Sequence, residues 1–162
     1  MSTLSEDNPI QQFFARYRSF NYRPSADWRQ LGPFNALAKH YKWSDERRKK
    51  EFRRLKSAWT QAVESEFSGS SLSHYQSLCR DLDIKPIPDT LCECKAALKG
   101  VFVNIVDLMQ YRTDRQKRRF TGKPQKFQTL KRLKEYSLEK GKYYRKEDAK
   151  AEMLRELLKV LI

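Results

Sequence analysis

The sequence predicts an all-α fold, a compact single-domain bundle of about six or seven helices around one buried central helix. Apolar residues recur at steps of three and four along most of the chain, which is the spacing of one helical face. The longest apolar run, LCECKAALKGVFVNIVDLM at about 91–109, is apolar around most of its circumference, as expected of a helix packed on several sides. Thr90 and Glu93 form a capping-box pattern at its start. Gly100, in its middle, is interpreted as the point where another helix crosses closely.

Four helices are expected before the central one. The first covers 9–20 and begins at a proline, which suits a first helical turn. The second covers 28–43 and contains a Gly-Pro pair, where the helix either kinks or begins; we favour one helix with an irregular first turn. The third, at about 44–69, begins with acidic residues on the positive end of its dipole. The fourth, at about 72–82, begins with a Ser73–Gln76 capping box.

The part of the chain after the central helix is expected to begin with a basic, exposed connection at 112–126. Gly and Pro residues occur there, and apolar residues are few. A short helix is expected to begin near Phe127 and to end at Gly141. The last helix, at about 146–162, carries an apolar stripe that must pack against the rest of the protein, because it would otherwise be an exposed adhesive patch.

Composition restricts the class of protein. The 162 residues include 34 Lys and Arg against 20 Asp and Glu, for a net charge of +14. We expect a disordered N-terminus at 1–8 and a single helical domain at 9–162.

The odd number of three cysteines argues against a disulfide framework and fits a reducing compartment. No apolar run is long enough to cross a bilayer, and the N-terminus lacks the pattern of a secretory signal. A nuclear location is predicted, with the cytoplasm as the alternative.

The positive charge is concentrated in one segment. Residues 112–134 contain ten basic residues and one acidic residue, which gives about two thirds of the net charge. Such density suits phosphate binding, because each neutralised phosphate releases condensed counterions. Aromatic residues within the segment are candidates for stacking on bases. The candidate nucleic-acid-binding residues are Arg112, Arg115, Lys117, Arg118, Arg119, Phe120, Lys123, Lys126, Lys131, Arg132 and Lys134. A secondary basic face on the third helix consists of Lys50, Arg53 and Arg54.

The preferred function is a non-enzymatic module that binds DNA or RNA. The alternative is a protein-interaction or adaptor module of a nuclear or cytosolic complex, whose basic segment meets an acidic partner or, through RQKRR, an import receptor. A solvated basic loop without a partner is the third interpretation. The sequence contains no Gly-rich phosphate loop, paired-carboxylate motif or nucleophile elbow. Neither an enzyme nor a cofactor or small-molecule substrate is therefore expected.

The aromatic residues of the first third of the chain are interpreted as core. The three tryptophans, at 28, 43 and 59, are spaced too closely for Myb-type repeats. The alternative is a groove that accepts the amphipathic helix of a partner. Its lining would be Phe13, Phe14, Tyr17 and Phe20.

A metal site is not expected. The possible ligands are His74, Cys79, Cys92 and Cys94. The spacing of Cys92 and Cys94 is tighter than that of the usual zinc knuckle, and two of the three cysteines fall on apolar stripes. A free cysteine is commonly a small buried apolar residue.

Three segments, taken together, resemble a family of small helical proteins of filamentous fungi. They are FFARYRSFNYRPSADW, LCRDLDIKPIPDTLCECKAALKGVFVNIVDL and LKEYSLEKGKYYRKEDAKAEMLRELL. They cover most of the chain and are packing and turn patterns, not catalytic motifs. The resemblance implies a single helical domain. The family has no assigned activity, so that the resemblance carries over no functional residue.

Overall fold

The structure, a computed structural model, describes residues 8–119, 122–142, 144 and 149–158. It confirms the all-α class, since these residues form eight helices and only one pair of two-residue strands. The elements are α1 (Pro9–Ala15), α2 (Leu31–His40), α3 (Asp45–Glu66), α4 (Leu72–Asp81), α5 (Leu91–Lys99), β1 (Phe102–Val103), α6 (Ile105–Gln116), β2 (Lys126–Phe127), α7 (Leu130–Glu139) and α8 (Glu152–Leu157).

The chain comprises two compact units. Unit 1 is Met1–Ser65 and unit 2 is Glu66–Ile162, so that the boundary falls in the last turn of α3. The single domain expected over 9–162 remains a prediction. The disordered segment expected at 1–8 lies, except for Asn8, outside the described residues.

In unit 1, the first two helices differ from the predicted ones. α1 begins at Pro9, as predicted, because Asn8 Oδ1 accepts from the Ile10 N–H at 2.9 Å, but it ends at Ala15. α2 begins at Leu31 with Pro33 in its first turn, so that the Gly-Pro pair neither kinks a longer helix nor begins one. A proline is tolerated there because the first-turn N–H groups have no intrahelical acceptor.

The predicted third helix is confirmed. α3 begins after Ser44, whose Oγ accepts from the Arg47 N–H at 3.2 Å, and it carries Asp45 and Glu46 in its first turn. Leu55 and Val63 of α3 are fully buried. This helix supplies part of the core and much of the charge of unit 1.

The prediction of one central helix at about 91–109 is wrong, because the structure has two helices there, α5 and α6. α5 begins at Thr90, whose side chain accepts from the Glu93 N–H at 3.2 Å, and it ends at Lys99 with Gly100 as its C-cap. β1 follows, and Asn104 then caps α6 by accepting from the Asp107 N–H at 3.1 Å. Among the described residues, an added Cβ on Gly100 would meet only the carbonyl oxygen of Ala97 at 3.7 Å, so that no helix of this part of the chain crosses closely there.

Two other described helices of unit 2 pack against α5. α4 lies against α5, and α5 lies against α8. α4 is capped by Ser71, two residues before the predicted capping box. The predicted apolar stripe of the last helix is buried where it is described, namely at Ala149, Met153, Leu154, Leu157 and Leu158. The remainder of that predicted helix, at 146–148 and 159–162, lies outside the described residues.

Four helices end in the same turn, a Schellman motif. The residues in the left-handed conformation are Lys42, Asp83, Arg118 and Gly141, with φ of 51–63°. In each turn the next N–H donates to the carbonyl five positions earlier, at 2.7–3.0 Å. Gly141 is the predicted stop of α7 and adopts this conformation without strain. The other three cost about 1–2 kcal/mol each, and each projects a charged side chain from a helix end.

Candidate functional site

The basic segment 112–134 does not begin as an exposed connection. α6 continues to Gln116, and Arg112 is only 7% exposed. Its Nε donates to Asp81 Oδ2 at 2.9 Å and its Nη1 donates to Glu66 Oε1 at 3.3 Å. Its guanidinium lies over the Phe67 ring at 4.9 Å from the centroid. The expectation that Arg112 faces solvent is therefore wrong, because its donors are used inside the protein.

Two further candidates also have acidic partners within unit 2. Arg115 Nη1 pairs with Asp81 Oδ1, so that one buried carboxylate receives two arginines. Lys123 Nζ donates to Asp83 Oδ1 at 2.6 Å and to the carbonyl oxygen of Arg80 at 2.9 Å. The acidic C-terminal end of α4 therefore neutralises part of the basic segment.

Asp83 lies among three ammonium groups. The hydrogen bond from Lys123 is the main cause that lowers the pKa of Asp83, and the charges of Lys85 and Lys126 act in the same direction. The same hydrogen bond raises the pKa of Lys123. Lys85 Nζ lies 4.0 Å from the carboxylate. One negative charge thus faces three positive ones, and the surface around Asp83 remains positive.

Seven candidates form no ion pair among the residues that the structure describes. Six of them are exposed and Lys134 is half-buried. They are Lys117, Arg118, Arg119, Lys126, Lys131, Arg132 and Lys134. Phe120, the candidate stacking residue, lies outside the described residues. This unpaired set is called the cationic strip below.

Local structure fixes the elements that carry the cationic strip. Val103 of β1 pairs with Lys126 of β2, and α7 packs against both strands. Thr129 caps α7 by accepting from the Arg132 N–H at 3.2 Å. At the other end of α7, Asp107 Oδ1 accepts from Lys142 Nζ at 2.8 Å. The cations of β2 and α7 are therefore held on a folded framework and not on a free loop.

Three further polar contacts join α6 and its cap Asn104 to the segment around α7. Tyr136 donates its hydroxyl to Asp107 Oδ2 at 2.6 Å. Burial is the main cause that raises the pKa of Tyr136, and this hydrogen bond adds to it. Asn104 Nδ2 donates to Ser137 Oγ at 2.9 Å and to the Lys142 carbonyl at 2.5 Å. The cluster satisfies its polar groups internally, as a structural contact does.

The secondary basic face lies on α3 in unit 1. Lys50 and Arg53 are exposed and form no ion pair in the described part of the chain. Arg54 Nη1 donates to Glu51 Oε1 at 3.1 Å. The expectation that these three residues share a face with 112–134 stays a prediction.

Glu51 is a residue that the sequence analysis missed. It is fully buried, accepts from the Tyr17 hydroxyl at 2.5 Å, and pairs with Arg47 at 3.2 Å as well as with Arg54. Its position four residues before Leu55, on the inward face of α3, is the signal that could have revealed it. Burial, and then the hydrogen bond to Glu51, raises the pKa of Tyr17 to about 12.

The aromatic residues of unit 1 divide into two groups. Phe13 and Phe14 are at most 4% exposed and in contact at 5.1 Å between centroids, so that they belong to the core and line no open groove. Trp28 is buried, as predicted, whereas Trp43 and Trp59 are only half-buried. Tyr41 is 37% exposed. A contiguous set of rings around Trp43 thus reaches the surface.

The cysteines and histidines do not form a metal site among the described residues, which contain no cluster of three or more His, Cys, Asp and Glu side chains. Cys79 and Cys94 are buried and Cys92 is exposed. Burial raises the pKa of Cys79 to about 12, and the adjacent Cys94 adds to this shift. His74 is exposed, and its Nδ1 lies 2.5 Å from Ser71 Oγ at the cap of α4.

No protein-family model, curated protein or solved structure matches this chain at a significant level. The resemblance to helical proteins of filamentous fungi therefore stays a prediction. Within the described residues, no helix combines the length and the apolar character that crossing a membrane requires.

Proposed function

We propose that the protein is a non-enzymatic nucleic-acid-binding module that holds phosphates with the cationic strip. The observation that carries this proposal is the unequal pairing of charges in unit 2. Arg112, Arg115 and Lys123 form ion pairs with acidic residues, whereas the seven cations of the strip form no ion pair among the described residues. Unpaired, exposed cations at this density favour a polyanion.

The ligand groups are the phosphates of DNA or RNA. A Lys or Arg that contacts a phosphate displaces a condensed counterion, so that affinity falls steeply with salt and depends little on sequence. Lys117, Arg118 and Arg119 are consecutive and exposed at the end of α6. They are the strongest candidates, because the Schellman turn at Arg118 fixes the backbone that carries them.

The proposal is tested by titrating labelled, mixed-sequence DNA and RNA, both single- and double-stranded, at ~50 and ~200 mM salt. The variant carries Lys117→Ala, Arg118→Ala and Arg119→Ala. The control carries Arg23→Ala, Lys99→Ala and Lys140→Ala, which remove the same charge from scattered exposed positions. We expect the first variant to lower the slope of log affinity against log salt by about one for each lost phosphate contact.

The control is expected to keep nearly the wild-type slope. Equal losses in the two variants would show that net charge alone attracts the nucleic acid, and would contradict a site on the cationic strip. No binding by the wild type at ~50 mM salt would contradict the proposed function as a whole, and an acidic protein partner would then be sought.

A further inference from the structure

A second surface, in unit 1, is formed by aromatic rings. Phe20, His40, Tyr41 and Trp43 make an unbroken series of contacts, with centroid distances of 5.6 Å, 4.9 Å and 6.2 Å in that order. The rings of Tyr41 and Trp43 are nearly parallel, at 17°. These four residues are called the aromatic platform below. His40 and Tyr41 are exposed, and Phe20 and Trp43 are half-buried, so that part of this series of rings is open to solvent.

The platform is held rigidly from below. Tyr17 contacts Tyr41 at 5.6 Å and Trp43 at 5.5 Å, and its hydroxyl is anchored on the buried Glu51. The Tyr41 hydroxyl lies 2.5 Å from Ser19 Oγ. The left-handed conformation of Lys42 turns the chain between the two parallel rings. The rings are therefore positioned before any ligand arrives, which lowers the entropic cost of binding.

Positive charge surrounds the platform. Between 39 and 50 the chain has six basic residues and two acidic ones, Asp45 and Glu46. Arg47 lies over the Trp43 ring at 5.9 Å. In the sequence, Arg16 and Arg18 flank Tyr17, and Lys39 and Lys42 flank His40 and Tyr41. None of these four cations forms an ion pair among the described residues. The surface thus combines π faces with groups that bind phosphate.

We propose that the aromatic platform stacks on unpaired bases of single-stranded nucleic acid while the adjacent cations hold the neighbouring phosphates. Every base has a π face, so that aromatic side chains bind single strands with little sequence preference. A duplex hides these faces within its own stack, and the platform therefore discriminates against it. The inference does not depend on the cationic strip of unit 2, because its residues are different and because it requires unpaired bases, which phosphate binding by the strip does not.

The test uses a short, labelled oligothymidylate and the full chain, with tryptophan fluorescence as a second readout. Trp28 is buried, and Trp59 donates its Nε1–H to the Arg29 carbonyl at 2.8 Å. Quenching on binding is therefore expected to come from Trp43. The variant Trp43→Phe should lose the quenching and retain most of the affinity, because it keeps a ring.

Tyr41 supplies the decisive set of variants. Tyr41→Ala and Tyr41→Leu are expected to weaken oligothymidylate binding about tenfold, and Tyr41→Phe to leave it nearly unchanged. Tyr41→Leu keeps an apolar side chain but no π face, so that it separates stacking from packing. None of the three should change the binding of a duplex to the cationic strip.

The outcomes distinguish this inference from the proposed function. Quenching that survives Lys117→Ala, Arg118→Ala and Arg119→Ala, and that requires about tenfold more oligothymidylate with Tyr41→Ala, would support it. Oligothymidylate that neither quenches Trp43 nor responds to Tyr41→Ala would overturn it and leave the cationic strip untouched. Quenching by an acidic aromatic peptide and not by the oligothymidylate would assign the platform to a protein partner and would also overturn it.

Discussion

Each unit contains a buried carboxylate that pairs with arginine, and the two carboxylates differ in how far their partners are buried. In unit 1, the side chain of Glu51 is 0% exposed, but those of Arg47 and Arg54 keep 49% and 46% of their surface in solvent. In unit 2, the side chains of Asp81 and Arg112 are 1% and 9% exposed. The first pairing is between a core acid and surface bases, and the second lies almost wholly inside.

This difference has energetic and functional consequences. A half-solvated arginine loses little hydration when it pairs, and it stays available to a ligand. A buried pair has already lost the hydration of both ions, so that removing either partner leaves an uncompensated charge. Removing the buried arginine of unit 2 is therefore expected to cost more stability than removing either of the half-exposed arginines around Glu51.

The largest effect is expected from Arg112→Met. Asp81 would keep only its half-exposed partner Arg115, and Glu66 would lose its arginine, so that the free energy of unfolding falls by up to about 3–5 kcal/mol, the cost of breaking a buried pair. Denaturant unfolding followed by circular dichroism measures it. Arg115→Gln is the matched control, since Arg115 shares Asp81 but its side chain is 47% exposed, and about 1 kcal/mol or less is expected. If Arg112→Met and Arg115→Gln lowered the free energy of unfolding by similar amounts, the distinction between buried and exposed partners would be contradicted.

A smaller loss is expected from Glu51→Gln. The amide oxygen can still accept from Tyr17, and both freed arginines can be hydrated, so that about 1–3 kcal/mol is lost. The same unfolding measurement applies, and Glu46→Gln, at an exposed position of the same helix, is the control. If Glu51→Gln lowered the free energy of unfolding as much as Arg112→Met does, the exposure of Arg47 and Arg54 would not explain the difference between the two units.

The smallest expected effect on stability occurs only at alkaline pH. Folding raises the pKa of Tyr17 from 10.0 to about 12, mainly through burial and then through Glu51. The folded protein keeps this proton at pH values where the unfolded chain has lost it. The resulting stability is complete below pH 10 and is lost as pH rises from 10 towards 12.

Glu51→Gln sharpens this prediction. The variant should lower the pKa of Tyr17 and leave that of Tyr22, which burial alone raises to about 12. Phenolate absorbance against pH measures both shifts, with Tyr17→Phe identifying the signal of Tyr17. An alkaline titration unchanged by Glu51→Gln would show that the carboxylate contributes nothing to the properties of Tyr17.

Local signals in the sequence predicted much of the fold. The capping residue Thr90, the acidic start of α3 and the stop at Gly141 all act within one helical turn, so that each is legible in a few consecutive residues. The break between α5 and α6 is different. An apolar run such as VFVNIV suits a buried helix and a short strand equally, and only the pairing of β1 with β2, 25 residues away for Phe102 and Phe127, decides between them.

The candidate site was predictable only as an excess of charge. The sequence located the basic segment, but the acids that neutralise Arg112 lie 31 and 46 residues away in the chain. No local sequence pattern indicates acidic partners that are so distant in the chain. The arrangement of the aromatic platform was hidden for the same reason, since Phe20 and Ser19 meet His40 and Tyr41 only in the folded unit.

The three cysteines allow the opening of unit 2 to be followed by chemical labelling. Cys92 is exposed on α5, whereas Cys79 and Cys94 are buried where α4 meets α5. A thiol-specific dye should therefore label Cys92 in the native protein and reach the other two only when those helices separate. The second and third labels would then count the opening events of unit 2 in the unaltered chain, and the first would provide an attachment point for a fluorophore that requires no substitution.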